Sequence, residues 1–124
     1  MADSIVIIPT YNEKENIEKI IRAVLALPNG FNILVIDDGS PDGTAAIVKR
    51  LMAEEFTDRL FIVERSCKLG LGTAYITGFK WALEHGYDYI FEMDADFSHR
   101  ETSRFPIAFK LFAIERLLAS PYGR

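Results

Sequence analysis

Four short runs of apolar residues, each followed by a longer segment of different periodicity, constrain the fold of this chain. The runs lie at residues 4–8, 32–36, 60–63 and 89–91 and are rich in β-branched and aromatic residues, which is typical of buried strands. The alternation of strand and helix predicts an α/β domain, with an open, mainly parallel sheet and helices on both faces. The first predicted helix has one apolar stripe, made of Ile17, Ile20, Ile21, Val24 and Leu25.

Local signals predict where some of these elements begin and end. Pro9 stops the first apolar run and is expected to end its strand. Asn12, with Glu15 three residues later, predicts a capped start of the first helix. Ser40 and Pro41 are expected to be the N-cap and the first residue of the second helix. A third helix is expected to carry Ile76, Phe79 and Leu83.

Charge and cysteine content exclude several classes of protein. In 124 residues, Lys and Arg number 14 and Asp and Glu number 18, a net charge of −4, so no basic face for nucleic acid is expected. Cys67 is the only cysteine, which rules out an internal disulfide and favours a reducing compartment. The first residues lack the pattern of a secretory signal, and no apolar run approaches the ~20 residues of a membrane span. We therefore expect a cytoplasmic protein with one domain.

Acidic segments follow three of the predicted strands, at residues 9–13, 37–40 and 94–96. In open parallel sheets, ligands bind beyond the carboxyl ends of the strands, near the point where strand order reverses. Asp94 and Asp96 place two carboxylates on one short loop, and such hard oxygen ligands suit Mg²⁺ or Mn²⁺. A solvated loop is the alternative for an isolated pair of this kind. Because two other acidic strand ends accompany the pair, the sequence favours a divalent metal site.

The other candidate residues have a local as well as a functional interpretation. One of Asp37 and Asp38 is expected to accept hydrogen bonds from a ribose or base, and the other to bond to its own turn. Tyr11 offers a flat face for a base and Glu13 an acceptor, although each alone is more often a helix-start residue. Near two glycines that permit close backbone approach, Lys68 could neutralise phosphate, or could simply be solvated.

Four motifs together resemble family-two glycosyltransferases of the GT-A fold, a Rossmann-like nucleotide-diphospho-sugar transferase fold. The resemblance is greatest to synthases of dolichyl- or polyprenyl-phosphate mannose. The motif at residues 8–13 alone would indicate only the broad superfamily. The motifs at residues 36–44 and 68–75 narrow the resemblance to this family. The motifs lie at residues 8–13, 36–44, 68–75 and 93–99.

This resemblance implies a donor site for GDP-mannose. Pro9, Tyr11 and Glu13 would hold the guanine and the ribose. Ile36 and Asp38 would complete that pocket.

The resemblance also implies how the diphosphate is held and what the reaction is. Asp94 and Asp96 would engage the diphosphate through Mg²⁺ or Mn²⁺, and Ala95 would contact the donor through its backbone. Mannose would pass with inversion to a polyprenyl (dolichyl) phosphate. That acceptor is already anionic, so no strong general base is required. A lipid acceptor also implies peripheral contact with the cytoplasmic face of a membrane.

The motif resemblance ends near His99, so residues 1–99 are expected to form the nucleotide-sugar-binding half of a GT-A domain. The family's catalytic domain is about twice as long as this chain. Residues 100–124 are expected to form a divergent helical tail. Apolar residues over 105–118 fall on nearly every face of such a helix, which predicts that it covers the open sheet edge or mediates a homodimer.

Four other functions fit the pattern to different degrees. A phospho-acceptor receiver domain, with Asp94 as acceptor, would leave residues 1–30 outside its fold. A nicotinamide-dependent dehydrogenase lacks support because the first turn has no glycine-rich phosphate loop. The motifs are also compatible with a nucleotide-sugar-binding module without turnover. They are compatible, too, with a family-two enzyme that uses another sugar nucleotide.

Overall fold

The computed structural model describes residues 3–28, 30–66, 70–93 and 112–113. Strands and helices alternate from the first strand to the fourth, which confirms the predicted order of elements. The elements are β1 (Ser4–Thr10), α1 (Ile17–Leu25), β2 (Asn32–Asp37), α2 (Thr44–Glu54), β3 (Leu60–Glu64), α3 (Leu71–Glu84), β4 (Tyr89–Glu92) and β5 (Phe112–Ala113).

The five strands form one sheet in the order β3-β2-β1-β4-β5. The first four strands are parallel, and β5 is antiparallel to β4. Helices α1 and α2 pack on one face and α3 on the other, so the predicted open, mainly parallel sheet with helices on both faces is confirmed. Because the chain adds β2 and β3 on one side of β1 and then β4 on the other, strand order reverses between β1 and β4. Ligands bind at such a reversal in α/β sheets.

The core consists of two apolar layers that the sheet separates. Every residue of β2 is buried, and so are most of β1, which is why their sequences are continuously apolar. On the α1 face, the buried side chains of the helix match the predicted stripe, namely Ile17, Ile20, Ile21, Val24 and Leu25.

Small residues, not large ones, bring α3 onto the sheet. Ala74, Gly78 and Ala82 face β1 and its neighbours. A Cβ at Gly78 would lie 2.7 Å from Cγ2 of Ile7, so only glycine allows this approach. Ile76, one of the residues that indicated the helix, is 53% exposed. The helix was therefore correctly predicted, although its largest aliphatic side chains do not all face the core.

The predicted boundary at the end of β1 is wrong. Pro9 lies inside β1 and pairs with Ile36 of β2. It is tolerated there because the pairing of β1 with β4 stops at Ile7 and Glu92, so its missing N–H leaves no bond to β4 unmade.

The predicted caps of α1 and α2 are also wrong. Asn12 has a left-handed backbone (φ 58°), and α1 begins only at Ile17. Helix α2 begins at Thr44 rather than at Pro41. The Ser40 hydroxyl instead accepts the N–H of Asn12 at 2.9 Å. Contacts between the two loops have outweighed the local capping signals.

The helix predicted over 105–118 is wrong at residues 112–113, which form β5. Ala113 pairs with Phe91 and Phe112 with Glu92. The edge of β4 offers unpaired backbone groups, and a strand satisfies them where a helix cannot. The rest of the predicted tail, and the proposed division at residue 99, fall largely outside the described residues. Within the part of the chain that the structure describes, no helix is long and apolar enough to cross a membrane.

Candidate functional site

The carboxyl ends of β1 and β2 are joined directly, as expected for neighbouring parallel strands. The backbone N–H of Asp38 donates to the carbonyl oxygen of Thr10 at 3.1 Å. The Thr10 hydroxyl donates to Oδ1 of Asp37 at 2.7 Å. Two of the three acidic strand ends therefore lie together at one edge of the sheet, next to the reversal of strand order.

Asp37 is the acid that bonds to its own turn. The residue is 1% exposed, and its carboxylate accepts the Ser40 backbone N–H at 3.0 Å and the Ser40 hydroxyl at 2.6 Å. Together with the bond from Thr10, these contacts occupy both oxygens. The structure thus assigns to Asp37 the local role that the sequence allowed to one of the two adjacent acids.

Asp38 forms a buried, two-pronged ion pair with Arg65. Nε of Arg65 lies 2.6 Å from Oδ1, and Nη2 lies 3.0 Å from Oδ2. The side chain of Arg65 is 10% exposed and that of Asp38 is 8% exposed. Sequence reasoning missed Arg65, although its position directly after β3 puts it at the same edge of a parallel sheet as the two acids. A basic residue at that position next to adjacent acidic residues is the signal that could have identified it.

Arg65 also connects this edge to the start of α3. Its guanidinium donates to the hydroxyls of Thr73 and Thr77 at 3.2 and 3.4 Å. A third contact, at 3.4 Å, reaches the carbonyl oxygen of Gly70. The ion pair therefore fixes the point at which the chain enters α3. Lys68, in the preceding segment, lies outside the described residues, so its predicted role stays a prediction.

Side chains of the β2–α2 loop and of the first residue of α2 bind the backbone of the β1–α1 loop. Within its own segment, Asp42 accepts the backbone N–H of Thr44 at 3.0 Å. Burial opposes ionisation of Asp42, but hydrogen bonds from Thr44 and Lys14 outweigh it and hold the pKa of the carboxyl below its usual value. The interloop bonds join the N–H of Asn12 to Ser40 Oγ (2.9 Å), that of Glu13 to Thr44 Oγ1 (3.0 Å) and that of Lys14 to Asp42 Oδ2 (3.1 Å).

The remaining predicted nucleotide ligands lie at or near this edge. Tyr11 is exposed and Glu13 half-buried, on the loop just described. Pro9 and Ile36 are paired across β1 and β2, but the Ile36 side chain is fully buried in the core beneath α3. Any contact of Ile36 with a ligand would thus come from its backbone.

The end of β4 completes the described part of this edge. The N–H of Met93 donates to the carbonyl oxygen of Ile7 at 3.0 Å. Burial raises the pKa of Glu92. Asp94, Ala95 and Asp96 follow directly in the chain but lie outside the described residues.

The described carboxylates do not form a metal site by themselves. Among residues 3–28, 30–66, 70–93 and 112–113, no group of three or more His, Cys, Asp or Glu side chains is arranged to hold a metal ion. Asp37 and Asp38 already bind the hydroxyl of Thr10 and the guanidinium of Arg65. The metal predicted at Asp94 and Asp96 therefore depends on residues that the structure does not describe.

A large cavity lies at the opposite edge of the sheet. It measures about 1050 Å³, and its lining includes Asp3, Asn32, Asp58 and Tyr87. These residues precede or begin strands. Because ligands in open parallel sheets bind beyond the carboxyl ends, we place the candidate site at the edge that carries Asp38.

An open parallel sheet with helices on both faces and a reversal of strand order beside β1 defines a doubly wound α/β domain. Its fold is the GT-A type of glycosyltransferase structures. The chain belongs to Glycosyl transferase family 2, which matches residues 5–117. This match extends past His99, where the motif resemblance was expected to end.

Two curated relatives are similar over most of this chain. Polyprenol monophosphomannose synthase of Mycolicibacterium smegmatis is 49% identical over 96 residues, covering 77% of this chain and 36% of the relative. Undecaprenyl-phosphate mannosyltransferase of Micrococcus luteus is 47% identical over 95 residues, covering 76% and 38%. This chain therefore spans little more than a third of the length of these relatives.

Two solved structures share the fold. The mannosyltransferase PcManGT of Pyrobaculum calidifontis, in complex with GDP-Man and Mn²⁺, has a TM-score of 0.63 at 29% identity and covers 81% of this chain and 30% of its own. TarS of S. aureus, in complex with UDP, has a TM-score of 0.63 at 25% identity and covers 77% and 28%. In both cases the similar region is a minor part of the larger protein.

Proposed function

We propose that this chain is the donor-binding part of an inverting glycosyltransferase that moves mannose from GDP-mannose to a polyprenyl (dolichyl) phosphate. The observation that carries this proposal is the edge at which β1 and β2 end beside the reversal of strand order. The names of the two curated relatives support the reaction. The GDP-Man bound to the Pyrobaculum enzyme supports the donor.

The nucleoside would bind at the β1–α1 loop and Asp38. Exposed Tyr11 offers a ring for base stacking, and half-buried Glu13 and Pro9 flank it. Asp38 already accepts two bonds from Arg65. A carboxylate has about four acceptor positions, so it retains capacity for a base N–H. Backbone atoms of Ile36 would complete this pocket.

The diphosphate would bind with a divalent metal at Asp94 and Asp96. Mn²⁺ accompanies the donor in the Pyrobaculum mannosyltransferase, and Mg²⁺ suits the same oxygen ligands. When bound, the ion would neutralise charge on the departing nucleoside diphosphate. In this proposal Ala95 contacts the donor through its backbone, and Lys68 contributes a positive charge near the phosphates.

The acceptor phosphate would carry the nucleophilic oxygen. Because a phosphate monoester is anionic at neutral pH, no residue need remove a proton from it. A polyprenyl acceptor would bring the protein to the cytoplasmic surface of a membrane. We also propose that the chain forms a homodimer through the tail or the sheet edge.

A nucleotide-sugar-binding module without turnover is the second candidate. The part of the chain that carries its argument is the edge where β1 and β2 end, which is proposed to bind the donor. Such a module would bind the donor and its metal without transferring the sugar.

Calorimetry with GDP and UDP, each with Mn²⁺ or Mg²⁺, tests donor binding. We expect GDP to bind with metal and UDP to bind more weakly. The double variant Asp94→Asn/Asp96→Asn should lose the metal-dependent part of binding. Asp58→Asn, at the opposite edge, is the matched control and should bind as the wild type does.

Turnover separates the two candidates. The wild-type chain is incubated with radiolabelled GDP-mannose, Mn²⁺ and polyprenyl phosphate, and lipid-linked mannose is extracted. Transfer supports the enzyme, and binding without transfer supports the module. Absence of any binding by GDP or UDP would contradict both.

A further inference from the structure

Three successive backbone N–H groups of the β1–α1 loop are bound by side chains from one short segment, residues 40–44, which runs from the β2–α2 loop into the first residue of α2. The acceptors are Ser40, Asp42 and Thr44, which we call the brace. They accept the N–H groups of residues 12, 14 and 13, respectively, at 2.9, 3.1 and 3.0 Å. The two loops are 28 to 31 residues apart in sequence, so these bonds are tertiary contacts and not part of a local turn.

The brace residues are themselves held in place by further hydrogen bonds. The Ser40 hydroxyl donates to Oδ1 of Asp37 at 2.6 Å while it accepts from the Asn12 N–H. The hydroxyl of Thr44, which is fully buried, donates to Oδ1 of Asp42 while it accepts from the next loop residue. Each hydroxyl therefore has a fixed orientation. The hydrogen bonds that Asp42 accepts from Thr44 and Lys14 outweigh its burial and lower the pKa of its carboxyl.

The backbone bonds within the β1–α1 loop lie in its second half, where the N–H groups of Asn16 and Ile17 donate to the carbonyl oxygen of Glu13 at 3.0 and 2.8 Å. Asn12 has φ 58°, a left-handed conformation that a non-glycine residue adopts only at a cost. Helix α1 does not begin until Ile17. Tyr11 lies between Thr10, fixed at the end of β1, and Asn12, fixed by Ser40. The brace therefore determines the backbone positions from which Tyr11 and Glu13 extend.

The occupied N–H groups also indicate what this loop does. Phosphate-binding loops present successive free N–H groups to the anion. Here the N–H groups of residues 12–14 already donate to side chains. The loop is thus built to present side chains to a ligand, and not to cradle a phosphate with its backbone.

We propose that Ser40, Asp42 and Thr44 are positioning residues that hold the β1–α1 loop in the conformation that binds the donor nucleoside. This inference rests on the proposed function, because the loop's ligand is the nucleoside diphosphate proposed above. The brace contacts the loop backbone, so it acts through Tyr11 and Glu13.

Residue-resolved amide hydrogen exchange of the 124-residue chain, measured by NMR, tests the brace without any ligand. Ser40→Ala should speed exchange of the Asn12 N–H, and Thr44→Val that of the Glu13 N–H, each by about tenfold. Asp42→Ala should do the same at Lys14. Thr57→Val is the matched control, because it deletes a threonine hydroxyl that donates to the carbonyl oxygen of Met52 in α2, away from the β1–α1 loop.

Calorimetric titration of the same variants with GDP and Mn²⁺ tests the consequence for binding. We expect each brace variant to bind about tenfold more weakly, Thr57→Val to be unchanged, and Thr44→Ser, which keeps the hydroxyl, to restore affinity lost in Thr44→Val. Ser40 is only half-buried, so Ser40→Ala remains informative if Thr44→Val fails to fold.

The outcomes are distinguishable. Unchanged exchange at residues 12–14 would overturn the brace itself. Faster exchange with unchanged GDP affinity would overturn its positioning role. A wild-type chain that binds no GDP would overturn the proposed function, and the nucleoside role of the brace with it, while exchange would still decide whether the brace holds the loop.

Discussion

Replacing Arg65 with methionine should destabilise the fold by about 3–5 kcal/mol, because the carboxylate of Asp38 would remain buried without its counter-charge. The two prongs of the pair measure 2.6 and 3.0 Å, and the side chains are 10% and 8% exposed. The pair is therefore a buried ion pair, and removal of one partner from such a pair strongly lowers the free energy of unfolding. Arg65 also holds Thr73 and the carbonyl oxygen of Gly70, so the start of α3 should loosen as well.

The Lys49–Glu64 pair provides a matched control. Its N–O distance is also 2.6 Å, but its side chains are 55% and 46% exposed. Lys49→Met should therefore cost less than about 1 kcal/mol. Comparison of the two variants separates the effect of burial from that of distance.

The assay is urea unfolding followed by circular dichroism, with the free energy of unfolding taken from linear extrapolation. The double variant Asp38→Asn/Arg65→Met removes the unpaired charge and should recover much of the loss. A double-mutant cycle should give a coupling of about 0.5–3 kcal/mol. If Arg65→Met loses no more stability than Lys49→Met, the assignment of a buried, stabilising pair is refuted.

Three further predictions concern packing and pH. Gly78→Ala should lower the free energy of unfolding by about 1–3 kcal/mol, because its Cβ would lie 2.7 Å from Ile7. Gly72→Ala, in the same helix with nothing within 4 Å, should raise it by up to about 1 kcal/mol; equal effects in urea unfolding would contradict this. The pKa of Asp42 is lowered from 3.8, so its stabilisation is present above that pH and is lost as the pH falls through the folded-state pKa. Thermal unfolding between pH 2 and 6 should therefore depend less on pH in Asp42→Asn, and an unchanged profile would contradict the assignment. The pKa of Glu92 is raised from 4.5 by burial, so its contribution falls as the pH rises, and Glu92→Gln should melt higher than wild type at pH 7 but not at pH 4.

Apolar periodicity was sufficient to predict the framework of this fold. The spacing from Ile17 to Leu25 placed α1 on the sheet, and the continuous apolar composition of β1 and β2 indicated burial on both faces. These signals are local, because the spacing of apolar residues within one helix or strand indicates which of its faces is buried. The meeting of acidic residues at the ends of β1 and β2 followed from parallel topology alone.

The contacts that shape the candidate site were not predictable in the same way. Local rules assigned Ser40 to the start of its own helix, whereas its hydroxyl binds Asn12 in another loop. Arg65 acquires its role only when β3 aligns beside β2. The contact surface of α3 depends on Gly78 fitting against Ile7, which no periodicity of large residues encodes. Each case depends on which strands become neighbours.

The position of β1 has a consequence for how the chain folds. Residue 5 pairs with residue 32 on one side but with residue 90 on the other. During synthesis, β1, α1 and β2 can associate early. The other edge of β1 stays unpaired until β4, near residue 90, has been synthesised. Contacts between residues so far apart in sequence form slowly. Until they form, the unpaired edge of β1 can pair with strands of other chains. Recruitment of β4 should therefore be the slowest step of assembly and the one most prone to aggregation.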